Sequence, residues 1–285
     1  MRDLGEFVSV FKRALRDQFD YQRIEINQIL LITDLSPTDL PAYTEEVQTY
    51  LDPEFERNSY TLSTIGKEDW SNWADMRAQL DDLKPDLVVT YRLLRVAHTE
   101  ILTSLGVYVD SLTQVTPYPV LLMPNPHMPG HESAPQQLGV VVVATEHMYT
   151  DHSLVNYGIR FTPRNNELFL CHVDDGDTFE YYMKAIEKIP ELDNDIAREK
   201  LEEQLNVMPK HYAESVQREI EAHKKEVKLC SIVEIGHIID RYRALIAKEP
   251  VSLLAFTTKD DTQLAMHSLG YSLAVEFRNM PILLI

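Results

Sequence analysis

SLGVYVDSLTQVTPYPVLLM (residues 104–123) and SLGYSLAVEFRNMPILLI (residues 268–285) are two versions of one pattern, and their reading decides the fold. Each opens Ser-Leu-Gly, continues as an amphipathic segment and ends in a proline that leads into an aliphatic run. Ile101, Leu102, Leu105, Val109 and Leu112 share one face at helical spacing, as do Met266, Leu269, Leu273 and Phe277. The runs VLLM (120–123) and ILLI (282–285) lack polar alternation, which suits strands covered on both faces in a parallel sheet. Upstream of each helix stands a comparable run, DLVVT (86–90) after Pro85 and VSLLAFT (251–257) after Pro250. The unit is therefore strand, helix, strand, and it occurs twice. Gly106 precedes Pro119 by 13 positions and Gly270 precedes Pro281 by 11, so the second copy is tighter. Repetition at this distance predicts duplicated domains and not a solenoid.

The remaining elements follow from periodicity and punctuation. Residues 1–25 read as an amphipathic helix, with Leu4, Phe7, Val8, Phe11 and Leu15 on its apolar face, and a polar connector. A strand over 28–33 is followed by a short helix over 39–50, a strand ending at Gly66 and a helix over 70–83 that carries Trp70, Trp73, Met76, Leu80 and Leu83. Residues 124–137 hold four prolines and a glycine and read as a linker. Beyond it come a buried-strand run from Gly139, a helix from about Asp151, a strand over 167–173, a charged helical region over 178–225 broken near Pro209, a strand over 227–233, and a helix over 237–248. The expected architecture is α/β, with two doubly wound parallel-sheet domains of which the first is reduced. The boundaries are an extension over 1–26, a first domain over 27–124, a linker over 125–137 and a second domain over 138–285.

The pattern Leu-Gly, helix, then PYPVLLM (117–123) resembles the carboxyl-terminal half of a universal stress protein domain, and the double copy resembles a tandem member of that family. ILLITDLSP (29–37) is similar to the family's first strand, and ELFLCHVD (167–174) to its second. The resemblance implies a five-stranded unit, from which the first domain lacks one strand and one helix. Loss of the central strand would leave a gap in the hydrogen-bonded ladder, so the expectation is loss of an edge pair. It also implies that the terminal strands, 119–123 and 281–285, pair the two domains about a twofold axis within one chain, as a pseudo-dimer.

Composition narrows the function. The 285 residues carry a net charge of −18, and no run of Lys and Arg interrupts it, so a nucleic-acid partner meets net repulsion. No segment approaches the roughly 20 consecutive apolar residues of a membrane helix, and acids interrupt the amino-terminal region where a signal peptide needs an apolar core. The expected location is cytoplasmic, without membrane insertion. Cys171 and Cys230 read as free thiols in strands.

Nucleotide-binding members of the resembled family carry, after the fourth strand, Gly, two residues, Gly, nine residues, then Gly followed by Ser or Thr. Counted back from Gly106, those positions hold Leu93 and Val96, with Val107 after the glycine. Counted back from Gly270, they hold Thr257 and Asp260, with Tyr271 after it. Side chains occupy the phosphate path where backbone amides should approach the ligand. The adenine-side aspartate matches Asp34 in the first domain and Thr145 in the second, while a lone Asp at a strand end also serves as a turn or cap residue. Arg92 and Arg95 could hold an anion without glycines, or pair with local acids. Candidate ligand residues are thus Asp34, Arg92, Arg95 and Gly106, with Thr145 and Gly270 in the second domain.

Other groups are less organised. Pro129 and Gly130 forbid the helix that would align His127 with His131 for a metal, and Glu146, His147, Asp151 and His152 form a denser cluster. No nucleophile turn or H-E-x-x-H motif is present, and no enzymatic activity is expected. The expected function is a regulatory or binding role in stress response, with a protein or small ligand as partner and no cofactor. The alternative is a switch that holds ATP, another nucleotide or another anion through Asp34, Arg92 and Arg95. Association into homo-oligomers stays open.

Overall fold

A computed structural model describes residues 18–96, 104–128, 131–145, 152–189, 193–258 and 268–285. The first described part holds β1 (Gln28–Ile32), α1 (Leu40–Leu51), β2 (Thr61–Ile65), α2 (Trp73–Leu83), β3 (Leu87–Tyr91), α3 (Val107–Val115) and β4 (Val120–Met123). The second holds β5 (Val140–Thr145), α4 (His152–Phe161), β6 (Glu167–Asp175), α5 (Gly176–Ile186), α6 (Asn194–Ala222), β7 (Lys228–Gly236), α7 (Ile238–Lys248), β8 (Val251–Phe256), α8 (Ser268–Glu276) and β9 (Ile282–Leu284). The expected amino-terminal helix falls on residues outside those described.

The nine strands of the described residues form one sheet in the order β2-β1-β3-β4-β9-β8-β5-β6-β7. Every neighbouring pair is parallel except β4 and β9, which run antiparallel with Val120 opposite Leu284, Leu121 opposite Leu283 and Leu122 opposite Ile282. The aliphatic runs are the middle of this sheet. Val88, Val89, Leu121, Leu122, Val141, Val142, Val143, Leu254 and Leu283 are all buried, which is why they carry no polar alternation. The second half has the order β7-β6-β5-β8-β9 and the first β2-β1-β3-β4, so β1 corresponds to β5 and the position of β7 is empty in the first half among the described residues. The missing strand is an outer edge, where its loss interrupts no ladder.

Several local expectations change. Trp70 does not lie in α2. Asn72 caps that helix by accepting from the Ala74 and Asp75 N–H groups, and Trp70 stays in the preceding turn, where its indole N–H donates to the Thr33 carbonyl at 3.0 Å. Pro209 does not break the chain, because α6 runs through it for 29 residues. An interior proline costs about 3 kcal/mol; here the buried face of α6 begins at Pro209 and continues through Tyr212, Ala213, Val216 and Ile220, and that packing offsets the lost hydrogen bond. The helical region is instead divided between Ile186 and Asn194.

Candidate strand-end site

In an open α/β sheet ligands sit at the carboxyl ends of the strands, where strand order reverses. In the first half that place lies between β1 and β3, which sends Thr33 and Asp34 on one side and Arg92 to Val96 on the other. The crevice is occupied by the protein's own groups. The Tyr91 hydroxyl donates to Asp34 Oδ1 and accepts from the Asp34 backbone N–H at 3.1 Å. The Arg95 backbone N–H donates to Asp34 Oδ2 at 2.6 Å, and His127 Nε2 stands 3.9 Å from Oδ1. Asp34 therefore ties the end of β1 to the loop after β3. Burial, and then the bond to Asp34, push the Tyr91 phenol far above its ordinary pKa, so it stays a donor.

Arg95 is committed to the same wall. Its guanidinium lies 4.2 Å from the Trp70 ring centroid and donates to the Lys67 carbonyl at 2.5 Å and to the Trp70 carbonyl. Arg92 turns the other way. It is 3 % exposed and donates to the Ala274 carbonyl of α8 at 2.7 Å, bridging the two halves, while its own carbonyl accepts from Asn125 Nδ2 at 2.7 Å. Burial, with Arg278 nearby, pushes the Arg92 guanidinium down to about 10, and its Nε and Nη1 donors have no hydrogen-bond partner among the described residues. Asp34 and Arg95 are thus brought together, and Arg92 is not placed with them.

The loop itself keeps the turn that a glycine would make. Leu93, at the first glycine position of the resembled motif, has φ +62°, and Arg95 has φ +58°. Leu93 donates its N–H to the Leu105 carbonyl at 2.8 Å, so that amide is not free for a phosphate. Gly106 has φ +90°, and a Cβ there would stand 3.0 Å from Leu93 Cα. Glycine is required by this close approach and by the backbone angle together.

In the second half the corresponding place lies beyond β5 and β8. The Thr145 hydroxyl donates to the Cys171 carbonyl at 3.1 Å, and its own carbonyl is 3.3 Å from His172 Nδ1. Thr258 closes onto the last residue of the chain through its N–H and its hydroxyl, both bonded to the Ile285 carbonyl at 2.8 and 3.0 Å. A Cβ on Gly270 would meet the Phe256 ring and the Thr257 carbonyl at 3.2 Å. Glu146, His147, Asp151 and Asp260 lie outside the described residues, and His152 bonds the Tyr212 hydroxyl at 3.1 Å. His131 is 3.0 Å from Glu46 and does not join His127. Among the described residues no group of three His, Cys, Asp or Glu side chains is placed to hold a metal, and no helix is long and apolar enough to cross a membrane. Cys171 and Cys230 occupy neighbouring strands two residues out of register and are free thiols; burial raises the Cys171 thiol strongly.

Sequence reasoning missed Tyr91, Trp70 and Asn125. Tyr91 ends a buried strand run beside Asp34, and that adjacency of strand ends was the available signal.

No family model matches the sequence, and no curated protein matches it. Solved structures do. A universal stress protein from Archaeoglobus fulgidus aligns over 92 % of this chain and 97 % of its own, with a TM-score of 0.51 and 13 % identity. A putative universal stress protein from Pseudomonas aeruginosa aligns over 91 % of this chain and 93 % of its own, with a TM-score of 0.47 and 12 % identity. A functionally unknown protein of the same organism covers 91 % and 92 %, with a TM-score of 0.48 and 12 % identity. The chain has the fold of the universal stress proteins: an α/β architecture with helices around a sheet that is parallel except at one join.

Proposed function

We propose that this is a universal-stress-protein-like regulatory or binding protein of the stress response that does not take ATP through a glycine loop. In this reading residues 27–124 and 138–285 are two units of one ancestral domain, and the antiparallel β4–β9 pair makes them a pseudo-dimer within one chain. Linkage of the units raises their effective concentration to roughly millimolar or above. The location is cytoplasmic, and the partner is a protein or a small ligand.

One observation carries the reading: Leu93 occupies the left-handed turn of the loop with its amide already bonded to Leu105, while both Asp34 carboxylate oxygens are engaged, by Tyr91 and by Arg95. A nucleotide would have to displace these bonds before gaining its own. The test is to purify the protein without nucleotide, denature it, analyse the supernatant, and titrate the emptied protein with ATP. The expected result is no released nucleotide and no saturable binding below about 1 mM. Stoichiometric release, or micromolar ATP binding lost on Asp34→Ala, would overturn it.

A further inference from the structure

The opposite rim of the sheet, at the amino-terminal ends of β1, β6 and β7, contains a cavity of about 470 Å³. Four segments line it: the connector that leads into β1, the connection from α1 into β2 through Glu54 and Ser59, the turn from α4 into β6, and the turn from α6 into β7. The connector is pinned across the second half, since the Phe19 N–H donates to Ser215 Oγ at 2.9 Å and the Gln22 N–H to Asn156 Oδ1 at 2.9 Å. The two turns are tied to each other by Asn165 N–H to the Glu226 carbonyl at 2.6 Å and Lys228 N–H to the Asn166 carbonyl at 3.0 Å.

In a chain of net charge −18, this lining is cationic: five Lys and Arg side chains stand against three carboxylates, with His223 beside them. Each carboxylate already has its arginine. Glu25 faces Arg23 at 3.5 Å, Glu54 receives Arg160 at 2.8 Å, and Glu226 faces Arg164 at 3.6 Å. The surplus is Lys224 and Lys225. Both are fixed by the end of α6, where Lys224 takes φ +51°, and Lys225 returns its N–H to the Ile220 carbonyl at 2.9 Å. That closure places Lys225 Nζ 4.9 Å from the Tyr21 ring centroid, with the His223 ring 4.6 Å from the same ring.

We propose that this cavity binds a small phosphate-bearing anion, seated on Lys224 and Lys225. A surplus of two positive charges matches a phosphate dianion, which ammonium and guanidinium donors recognise by charge-assisted hydrogen bonds. The volume lies in the range of small-molecule sites and exceeds what one phosphate needs, so the favoured source is a phosphate monoester. The competing role for the two lysines is to balance the carbonyl end of α6, which also attracts cations. The proposal stands independently of the reading of the β1–β3 crevice, because the two sites lie at opposite ends of the strands.

The test titrates the full-length protein with glucose 6-phosphate, inorganic phosphate and glucose at constant ionic strength, by calorimetry and by thermal melting. Glucose 6-phosphate is expected to raise Tm saturably and glucose to leave it unchanged. Lys224→Asn/Lys225→Gln is expected to weaken binding by about tenfold or more. Asn tolerates the left-handed turn, so this variant should fold; Lys225→Arg, which keeps the charge over Tyr21, should retain binding. Tighter binding of the ester identifies an organic phosphate, and equal binding of inorganic phosphate identifies the free anion. Absence of binding by both up to about 10 mM, or undiminished binding in the double variant, overturns the proposal. ATP binding that disappears in the double variant but survives Asp34→Ala would belong to this cavity and not to the strand-end crevice.

Discussion

The two halves of the sheet use the same strand, glycine, helix, strand unit for different ends. In the first, Gly106 is held at φ +90° against the Leu93 backbone, and Arg92 reaches out to the Ala274 carbonyl of the other half. In the second, Gly270 abuts the Phe256 ring, and Phe256, opposite Leu284, takes the register position that Thr90, opposite Leu122, has in the first. The helix in the first half carries Asp110 where the second carries Ala274. The shared unit specifies packing of helix on sheet, while the residues at the strand ends decide whether a half closes on itself or grips its neighbour.

The largest effect should come from the strand that both halves share. Leu283 is fully buried between Leu121 of β4 and Ala255 of β8, so Leu283→Ala should cost about 2–5 kcal/mol. Chemical denaturation would show it, and a loss confined to one half by hydrogen exchange would break the view of the β4–β9 pair as a common core. Next, Gly106→Ala should cost about 1–3 kcal/mol, more than Gly270→Ala, because only Gly106 combines a tight contact with a positive φ. Equal losses would remove the distinction between the two glycines.

Tyr91→Phe should cost about 1.5 kcal/mol by taking a donor from the Asp34 carboxylate, and should leave ATP binding absent. Appearance of ATP binding would mean that the bond was the only barrier. The smallest effect is electrostatic. Asp110 is half-buried, and burial raises its carboxyl pKa, so the folded chain binds its proton more readily than the unfolded chain. This group therefore costs stability as pH rises through the folded pKa, and the cost vanishes below the unfolded value of about 3.9. Asp110→Asn should gain a few tenths of a kcal/mol at pH 7. Thermal melts at pH 7 and pH 3 should show the gain at the higher pH alone.

Much of this was legible in residues. Proline-bounded aliphatic runs identified the buried strands, because a strand covered on both faces has no polar positions to show. Gly106 was found at its helix start through repetition. Trp70 was misassigned because helical spacing from Trp73 onward extends back to it by coincidence; the Asn72 cap and the Thr33 carbonyl decided its place. Pro209 was misread because local propensity cannot see that the buried face of α6 starts there. The sites were harder. Asp34 and Arg95 were named, but their mutual bond depends on a loop that turns back over β1. The direction of Arg92 depends on a carbonyl 182 residues away.

The order of apolar runs, prolines and glycines by itself determined a parallel α/β sheet built from a repeated unit, since burial on two faces and helix starts are local demands on composition. Only the tertiary structure decided that the two arrays join antiparallel into one sheet, that the first half's crevice is filled from within, and that Lys225 meets Tyr21 across the opposite rim with Lys224 beside it in the lining. These depend on distances between residues far apart in the chain, which no spacing along it records.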